Sequence, residues 1–486
     1  MNFKRFFRKG ATTNTEALAA RQTRDMLEEL PIHKNNLYCS TETLQALRNQ
    51  RLRSLLKHAK RYSPWYKKHL AHIDIEHFTE QNLHEIPVTN KVILMNNWDD
   101  IVTDRRVSLQ LVEKHLDKIS QNENSLYLFD RYHCITTSGS SGIRGVFIYD
   151  WEEWNKFYIF LIRYGLRNRD GSEILGGNPN MMRVAIVNIA NPIFATYSLH
   201  KTFNPNQIEK YHFPITLPFD QIIEGLNHVQ PDMVIGLPPT IRQLCQEANK
   251  GRLAISPKIV TSFGEPLHSS IRSMIKKTWS NAGVFNTFSS SEGLIGINCH
   301  ADSHEVHLND DACIVQLVDK WNNPIGKNKT SSKAYLTNLY NYTLPLIRYE
   351  LSDQLSFLDK TCECGINHQL ITEPLYRPEF DFTYQGNIVV HHSVFDTPLL
   401  LEKNIREFQV IQTETGVNVK IVTIGYVNKI QLQTNICVEL IRLGLPQPCV
   451  NIDEVEKLNY PASGKLRRFL RNSAVTKPSL TKDIVV

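Results

Sequence analysis

The stretch TTSGSSGIRG, residues 136–145, combines three glycines with several hydroxyl side chains. Glycine permits tight turns that direct backbone N–H groups toward one point, and hydroxyls add donors, which together suit the oxygens of a phosphate. The apolar runs on both sides, which include Tyr132, Ile135 and 146–148, are typical of two strands joined as a hairpin. The stretch therefore predicts a phosphate-binding loop. A flexible Gly/Ser linker is the alternative that composition leaves open.

A kinase or GTPase P-loop is a poor match, because no Lys follows the second glycine of the stretch.

Beyond this loop, residues 183–288 alternate between short apolar runs and amphipathic segments. This alternation predicts a parallel sheet with helices on its faces. The predicted strands are Val184–Ile189, Met233–Gly236, Lys258–Phe263 and Val284–Thr287, and the predicted helices are Phe219–Val229, Thr240–Asn249 and Leu267–Trp279.

Two polar clusters follow predicted strands of this sheet. Gly264 and Glu265 come after one strand, and Ser289-Ser290-Ser291-Glu292-Gly293 comes after the next. Ligands of such sheets bind beyond the carboxyl ends of the strands. The pattern therefore predicts a binding site at this edge.

The remaining segments complete the prediction of an α/β protein: a large N-terminal domain of α/β layers with a sheet-rich lobe, and a small mobile α+β C-terminal domain. Residues 1–40 show no clear period, which predicts a loosely held arm, and the pattern from Leu44 to Ala59 predicts a helix that stops at Pro64. Paired strands are expected at 313–318, 333–339 and 348–353. The last hundred residues predict a hairpin at 407–424, a helix at 428–443 and a strand near Val450.

Composition limits the class of protein. The chain has 486 residues, 41% of them hydrophobic and 21% charged, with a net charge of +6, which is ordinary for a globular protein of about three domains or lobes. No apolar run approaches the roughly 18 residues of a membrane span, and no secretory signal is visible. Nine scattered cysteines suit a reducing compartment. We expect a cytoplasmic protein with neither a membrane nor a nucleic acid as partner.

Some of the cysteines form a candidate metal-binding group. Cys362 and Cys364 lie close together in a predicted turn, and Cys299 with His307 could complete a four-ligand zinc site of the Cys₃His type. All four tetrahedral positions would then be filled, which indicates a structural ion. The alternative is a pair of thiols in a turn.

Taken together, the sequence resembles the adenylate-forming superfamily, and within it the phenylacetate–CoA ligase-like branch that includes coenzyme F390 synthetases. Some members of the branch carry a structural zinc of this kind. The resemblance spans nearly the whole chain and rests on segments in the right order: Leu52-Arg53-Ser54-Leu55-Leu56, Ser63-Pro64-Trp65-Tyr66, Ile86-Pro87-Val88, Thr137 to Gly145, Gly264-Glu265-Pro266, Phe288 to Glu292, Arg348-Tyr349 with Asp353, and Ser463-Gly464-Lys465.

The resemblance implies an ATP-dependent, AMP-forming ligase that activates a carboxylic acid, by the habit of the branch an aryl acid, and transfers it to coenzyme A. It implies four parts: an arm (1–40), an adenylation domain (41–376), a hinge (377–381) and a lid (382–486). Lys465 and Glu292 would be catalytic, and Glu292 would also hold Mg²⁺. The nucleotide would contact Thr137, Ser138, Gly139, Ser140, Ser141, Gly142, Gly264, Glu265, Phe288, Ser289, Ser291, Asp353 and Arg377.

Four departures from the family pattern leave alternatives open. The loop has Gly142-Ile143-Arg144 where Gly-Lys is frequent, Ser289 and Ser291 stand where Gly and Thr are usual, and Tyr376 precedes Arg377 where Gly is usual. An amine or a carrier-protein thiol could replace coenzyme A, and a homodimer is left open. A non-catalytic nucleotide-binding protein is the alternative from another class. Retention of Glu292, Asp353, Arg377 and Lys465 together argues against it.

Overall fold

The computed structural model describes most of the chain. The described residues are 14–121, 126–137, 144–168, 181–205, 208–264, 267, 269–351, 353–373, 382–390, 392, 394–395, 398–399, 402, 404–423, 425–459 and 469–472. The chain forms two compact units. Unit 1 covers 1–135 and 146–376, and unit 2 covers 377–486 together with the segment 136–145.

The first part of unit 1 is helical. Two helices begin at serines whose side chains accept a backbone N–H of the first turn, Ser40 before the second helix and Ser63 before the third. The second helix ends at Tyr62, two residues before Pro64. Pro64 begins the third helix, a position where its missing N–H costs nothing. The helices are α1 (Asn14–Asn35), α2 (Thr41–Tyr62), α3 (Pro64–His69), α4 (Lys91–Asn96), α5 (Trp98–Ile101), α6 (Leu109–Gln121) and α7 (Trp151–Ile162).

The prediction of a loosely held arm over 1–40 is wrong for its described part. Helix α1 buries Met26 and Leu30 together with polar residues that the hydropathy pattern does not reveal. Buried Gln22 is one of them: its Nε2 donates to the carbonyl of Trp151, and its Oε1 accepts from the hydroxyl of Tyr127. Because three of the five buried residues of α1, namely Gln22, Thr23 and His33, are polar, helical periodicity is weak in the sequence.

An eight-stranded sheet dominates unit 1, in the order β14-β10-β9-β8-β7-β6-β4-β5. The five strands from β8 to β5 are parallel, as the alternating pattern predicted, and β9, β10 and β14 extend the sheet antiparallel. The strands are β4 (Met182–Asn188), β5 (Ile208–Pro214), β6 (Met233–Gly236), β7 (Ile259–Phe263), β8 (Gly283–Ser289), β9 (Ile295–Ile297), β10 (Glu305–Leu308) and β14 (Leu370–Thr372).

Four helices connect the parallel strands. Three of them bury an apolar face against the sheet in one cluster, which includes Val187, Ile222, Leu244, Val260 and Ile275. The helices are α8 (Ala195–Thr202), α9 (Phe219–Val229), α10 (Pro238–Asn249) and α11 (Ser269–Thr278). The bounds of α9, α10 and α11 agree with the sequence prediction to within a few residues, whereas α8 and strand β5 were not predicted.

Two small sheets complete unit 1 and share its larger apolar core with α1, α2 and α7. The first holds the predicted hairpin on either side of the opening stretch, and the second is fully antiparallel. Their strands are β1 (Tyr127–Leu128), β2 (Tyr132–Thr136), β3 (Val146–Tyr149), β11 (Cys313–Val318), β12 (Lys333–Asn338) and β13 (Tyr349–Leu351).

Unit 2 has its own apolar core, built around Phe408, Val419 and Ile436. It contains a strand pair and a four-stranded sheet in the order β19-β18-β17-β20, with one helix. These elements confirm a small α+β fold. They are β15 (Phe382–Tyr384), β16 (Ile388–Val390), β17 (Ile405–Gln412), β18 (Gly416–Thr423), β19 (Cys449–Glu454), β20 (Phe469–Leu470) and α12 (Lys429–Arg442).

None of the helices in the described ranges combines the length and apolarity that crossing a bilayer requires.

Candidate functional site

The carboxyl edge of the parallel sheet brings two of the predicted segments side by side. Strands β7 and β8 pair in parallel, with Phe263 opposite Thr287, so the next residues in each chain segment, Gly264 and Phe288, are neighbours at this edge. Gly264 has a left-handed backbone (φ 76°) and is exposed. The edge therefore offers an accessible turn next to an aromatic ring.

Glu292 lies in the loop that turns β8 into β9. Those strands are antiparallel with Ser289 opposite Ile295, which leaves the loop Ser290–Leu294. Ser290 N donates to the carbonyl of Leu294 at 2.9 Å, and Gly293 N donates to that of Ser290 at 3.0 Å. Gly293 has φ 93°, a conformation that residues with a Cβ rarely adopt. The loop is a closed turn with a required glycine.

Three neutral side chains from elsewhere in unit 1 hold the backbone of this loop. The hydroxyl of Tyr149 donates to the carbonyl of Ser291 at 2.7 Å, and that of Tyr340 donates to the carbonyl of Gly293 at 3.0 Å. Between them, Asn338 Nδ2 donates to the carbonyl of Glu292 at 2.9 Å. Three successive backbone carbonyls are thus fixed by neutral donors, so these contacts hold the loop without using the Glu292 carboxylate.

Asn338 also holds the turn that follows β12. Its Oδ1 accepts from the backbone N–H of Tyr340 and of Asn341, each at 3.0 Å. The side chain therefore ties the loop of Glu292 to the turn between β12 and β13.

The Glu292 side chain is only 7% exposed, and its Oε1 lies 3.9 Å from Nζ of Lys91 at the start of α4. Two buried phenols are also close. Burial, with a smaller contribution from the Glu292 charge, raises the pKa of Tyr149 and of Tyr349. A nearly buried carboxylate beside one ammonium group offers oxygen ligands of the kind that Mg²⁺ prefers.

Strand β13 links this carboxylate to another predicted residue. Tyr349 begins the strand, and Asp353, half-buried, follows its end. Arg348 is held just before the strand with φ 48°, and its Nη1 donates to the carbonyls of His84 and Ile86 at 3.1 and 2.5 Å. The Arg348-Tyr349 segment is thus held in place by hydrogen bonds a few residues before Asp353.

The base of the opening stretch is closed by its own residues. Thr137 N donates to the carbonyl of Gly145 at 3.0 Å, and Gly145 N donates to the hydroxyl of Thr137 at 2.9 Å. The hydroxyl of Thr136 donates to the same carbonyl at 2.9 Å and accepts from Nε of Arg144 at 2.7 Å. Arg144 therefore fastens the base of the stretch.

Several predicted site residues lie outside the described part of the chain. They are Ser138, Gly139, Ser140, Ser141, Gly142, Glu265, Arg377 and Lys465.

The four predicted zinc ligands come together. The ligand atoms of Cys299, His307, Cys362 and Cys364 all lie within 4.8 Å of one another. Cys299 Sγ is 3.4 Å from Cys362 Sγ, and Cys364 Sγ is 3.3 Å from Nε2 of His307. Zinc bonds of about 2.3 Å in a tetrahedron would separate two sulfurs by about 3.8 Å, close to this spacing.

Polar and aromatic contacts orient the imidazole of this cluster. Nδ1 of His307 lies 2.9 Å from the carbonyl of His368, so this nitrogen donates and Nε2 faces the sulfurs as an acceptor. Burial lowers the pKa of His307 to about 4 and raises the pKa of Cys299 and of Cys364. The imidazole is ready to ligate, whereas the thiols need a nearby cation to lose their protons.

The segment that follows Cys364 also contacts the N-terminal region. His368 Nε2 lies 3.2 Å from the carbonyl of Asn36, and Asn367 Nδ2 donates to the carbonyl of Cys39 at 3.1 Å. A change in the cluster would therefore reach the connection between α1 and α2.

Sequence reasoning missed the residues that support Glu292, namely Lys91, Tyr149, Asn338 and Tyr340. They lie 46 to 201 positions away from Glu292 along the chain, and none belongs to a local motif. The two asparagines and the tyrosine in Asn338-Leu339-Tyr340-Asn341 signal a turn, but they do not indicate which loop that turn contacts.

Comparison with known proteins gives a fold. Neither a protein-family model nor a curated relative matches the sequence. Among solved structures, 2-hydroxyisobutyryl-CoA ligase in complex with 2-HIB-AMP and CoA, in the thioesterification state, is 14% identical with a TM-score of 0.57 over 90% of this chain and 91% of its own. The same ligase in the postadenylation state with R3-HIB-AMP gives 0.55 over the same shares. The chain shares the fold of this ligase.

Within this fold, the structure places Gly264, Phe288 and Ser289 at neighbouring positions of one sheet edge, and Glu292 in the loop beyond them. The Cys/His cluster is formed on the other side of β9, where β10 carries His307 and the segment before β14 carries the two thiols of Cys362 and Cys364.

Proposed function

We propose that the chain is an ATP-dependent, AMP-forming acid–thiol ligase of the phenylacetate–CoA ligase-like branch. The observation that carries the proposal is the nearly buried Glu292 carboxylate, held on a closed loop that follows β8, the strand whose carboxyl end lies beside the exposed turn at Gly264. An oxygen ligand for a divalent cation and a place for a base or sugar would then belong to the same sheet edge. The same sheet edge is where ligands of this architecture bind.

In the first half-reaction, a carboxylate oxygen of the acid attacks the α-phosphorus of ATP. The bond from that phosphorus to the bridging oxygen breaks, and pyrophosphate leaves with the electron pair. Two anions must meet, so Lys465 would place positive charge on the α-phosphate. Glu292 would hold Mg²⁺, which neutralises the leaving group when bound. Asp353 would bind the ribose hydroxyls, and Arg377 would serve at the hinge.

In the second half-reaction, a thiol sulfur attacks the carbonyl carbon of the acyl-adenylate. The new thioester forms as the carbonyl–oxygen bond to AMP breaks, and the thiol proton leaves to solvent or base. Coenzyme A is the acceptor that the resemblance favours, and an amine or a carrier-protein thiol remains the second choice. The lid, residues 382–486, would turn about 377–381 between the two half-reactions.

The departures from the family pattern leave the described loop intact, which favours an enzyme over a decayed nucleotide-binding protein. Ser289 replaces a usual glycine, yet it lies in β8 with ordinary strand pairing to Ile295. The position of the loop that needs a left-handed backbone is Gly293, and it has kept its glycine. A hydroxymethyl group at 289 is therefore accommodated without strain.

The Cys/His cluster supports a structural role for zinc. Three thiols and one oriented imidazole are soft and borderline donors that suit Zn²⁺ over Mg²⁺ or Ca²⁺. The ion would hold the thiol-bearing segment against β10, and it would take no part in the reaction because protein groups fill its four positions.

A panel of aryl, hydroxylated and straight-chain acids tests the proposal. Full-length protein with MgATP should release AMP and pyrophosphate in the presence of one class of acid, and coenzyme A should raise the turnover. The matched control is Glu292→Gln, which keeps the shape of the side chain. Acid-dependent release that is the same in both proteins, or absent with every acid and acceptor, would reject the assignment.

A further inference from the structure

Lys91 is a cation whose position beside Glu292 is fixed by its backbone. Thr89 N donates to the carbonyl of Arg348 at 3.1 Å, and Glu350 N donates to the carbonyl of Thr89 at 2.8 Å, so this segment pairs with β13. Asn90 then caps α4 by accepting from Ile93 N at 2.9 Å. Lys91 is the first residue of that helix, held from both directions.

The ammonium group of Lys91 is partly withdrawn from water. The side chain is 20% exposed, and Nζ lies 3.9 Å from Oε1 of Glu292. Among the described residues, no other Lys or Arg is found in an ion pair with that carboxylate. Because 3.9 Å is longer than a hydrogen bond, the N–H groups of the ammonium can bind other acceptors while this ion pair persists.

In the proposed site Lys465 is assigned to the α-phosphate and Arg377 to the hinge, so the β- and γ-phosphates have no side-chain cation assigned to them. Glu292 adds a negative charge where a polyphosphate must bind, and the stretch 136–145 has no lysine at the position where the family frequently has one. Arg144 is the cation that this stretch does contain, but its Nε donates to the hydroxyl of Thr136. In a site that excludes water, an uncompensated phosphate charge is costly.

We propose that Lys91 is a phosphate-binding residue of the nucleotide site. It pairs with Glu292 when the site is empty, and it contacts the β- or γ-phosphate of ATP when a divalent cation takes that carboxylate. This inference rests on the proposed function, because it assumes that Glu292 faces the ATP phosphates. The competing interpretation is a salt bridge that only supports the fold.

The test is calorimetric titration of full-length protein with MgATP and, separately, with AMP. Lys91→Met keeps the length of the side chain and removes its charge, and Lys91→Arg keeps the charge. A matched control is Lys333→Met. It breaks the ion pair between Lys333 and Glu350 in the antiparallel sheet, and the exposure of this pair is similar to that of Lys91 and Glu292. Lys91→Met should bind MgATP about 10- to 100-fold more weakly, the range for one charged hydrogen bond, and AMP within about twofold, because AMP lacks the outer phosphates.

Lys91→Arg should recover most of the affinity for MgATP, and Lys333→Met should retain it. Equal affinity of the wild type and Lys91→Met for MgATP, tighter binding by Lys91→Met, or equal losses for MgATP and AMP would each overturn the inference. Acid-dependent AMP release by the wild type judges the ligase separately. If the wild type binds MgATP but releases no AMP with any acid, the proposed ligase activity is rejected. The MgATP affinities of the variants then still decide whether Lys91 binds phosphate.

Discussion

The Cys/His cluster and the Glu292 loop lie on either side of β9, and they are built in opposite ways. In the cluster, three thiols and an imidazole face one another, and burial raises the pKa of Cys299 and of Cys364. In the loop, neutral donors from Tyr149, Asn338 and Tyr340 hold three backbone carbonyls. We infer that an ion would hold the cluster together, whereas the loop is held by hydrogen bonds within the protein and keeps its carboxylate available.

The largest expected effect is loss of the ion from the cluster. Cys364→Ser should lower the free energy of unfolding by more than about 4 kcal/mol, because the binding energy of a structural zinc is partly folding energy. Metal content by elemental analysis and thermal melting measure this change. Purified wild type should hold close to one zinc per chain.

His300→Ala is the matched control for the cluster. The Nδ1 of His300 lies 3.0 Å from Cys299 Sγ, but this exposed side chain is outside the group of four ligand atoms. The variant should keep both zinc and melting temperature. Metal-free wild type that melts at the same temperature as zinc-loaded protein would show that the cluster is held without an ion.

Removal of the carboxylate from the loop should act on the reaction and leave folding unchanged. Glu292→Gln should slow acid-dependent pyrophosphate release by about 10² to 10³, the range for one preorganised electrostatic group. Its melting temperature should stay near that of the wild type, because the loop is held through backbone carbonyls. A large loss of stability with normal turnover would reverse the comparison.

Substitution of the loop glycine should lower stability through steric clash and backbone strain, without a change in charge. Gly293→Ala should destabilise the protein by about 2 kcal/mol, because φ is 93° and a Cβ would lie 2.2 Å from Asn338 Nδ2 and 2.6 Å from the hydroxyl of Tyr340. Gly326→Ala is the control, since nothing lies within 4 Å of its added Cβ. Denaturant unfolding of both variants gives the difference, and equal stabilities would mean that the loop is not rigid.

The smallest effect is expected from single hydroxyls. Tyr149→Phe and Tyr340→Phe each leave one buried carbonyl without its donor, which should cost about 1 to 1.5 kcal/mol. Because they hold adjacent parts of one loop, the double variant should deviate from the sum by at least about 0.5 kcal/mol. Strict additivity in denaturant unfolding would indicate that the two hydrogen bonds act independently.

Local pattern was enough for much of the fold. The alternation over 183–288 predicted four of the five parallel strands and three of the four helices to within a few residues, because apolar faces repeat along each element. The edge strand β5 and helix α8 were missed, and in β5 only Phe213 is fully buried, so its apolar pattern is weak. Helix α1 was missed because Gln22 and Thr23 are buried through hydrogen bonds, which hydropathy does not register.

The site divides in the same way. Cys362 and Cys364 are two positions apart, so their chemistry is visible in sequence, and the structure brings Cys299 and His307 to them. The support of Glu292 is not visible, because Lys91 and Tyr149 reach it only through packing of α4 and β3 against other elements. The nucleotide roles of Lys465 and Arg377 stay predictions, since both lie outside the described residues.

Asn338 limits which sequences can form this molecule. Its amide uses both ends, the nitrogen toward Glu292 and the oxygen toward two N–H groups of its own turn. Aspartate keeps the accepting end and lacks the donor, leucine has neither, and glutamine is longer by a methylene. Position 338 should therefore be among the least tolerant of substitution in unit 1, although it is not one of the predicted site residues and a screen for active-site residues would pass over it.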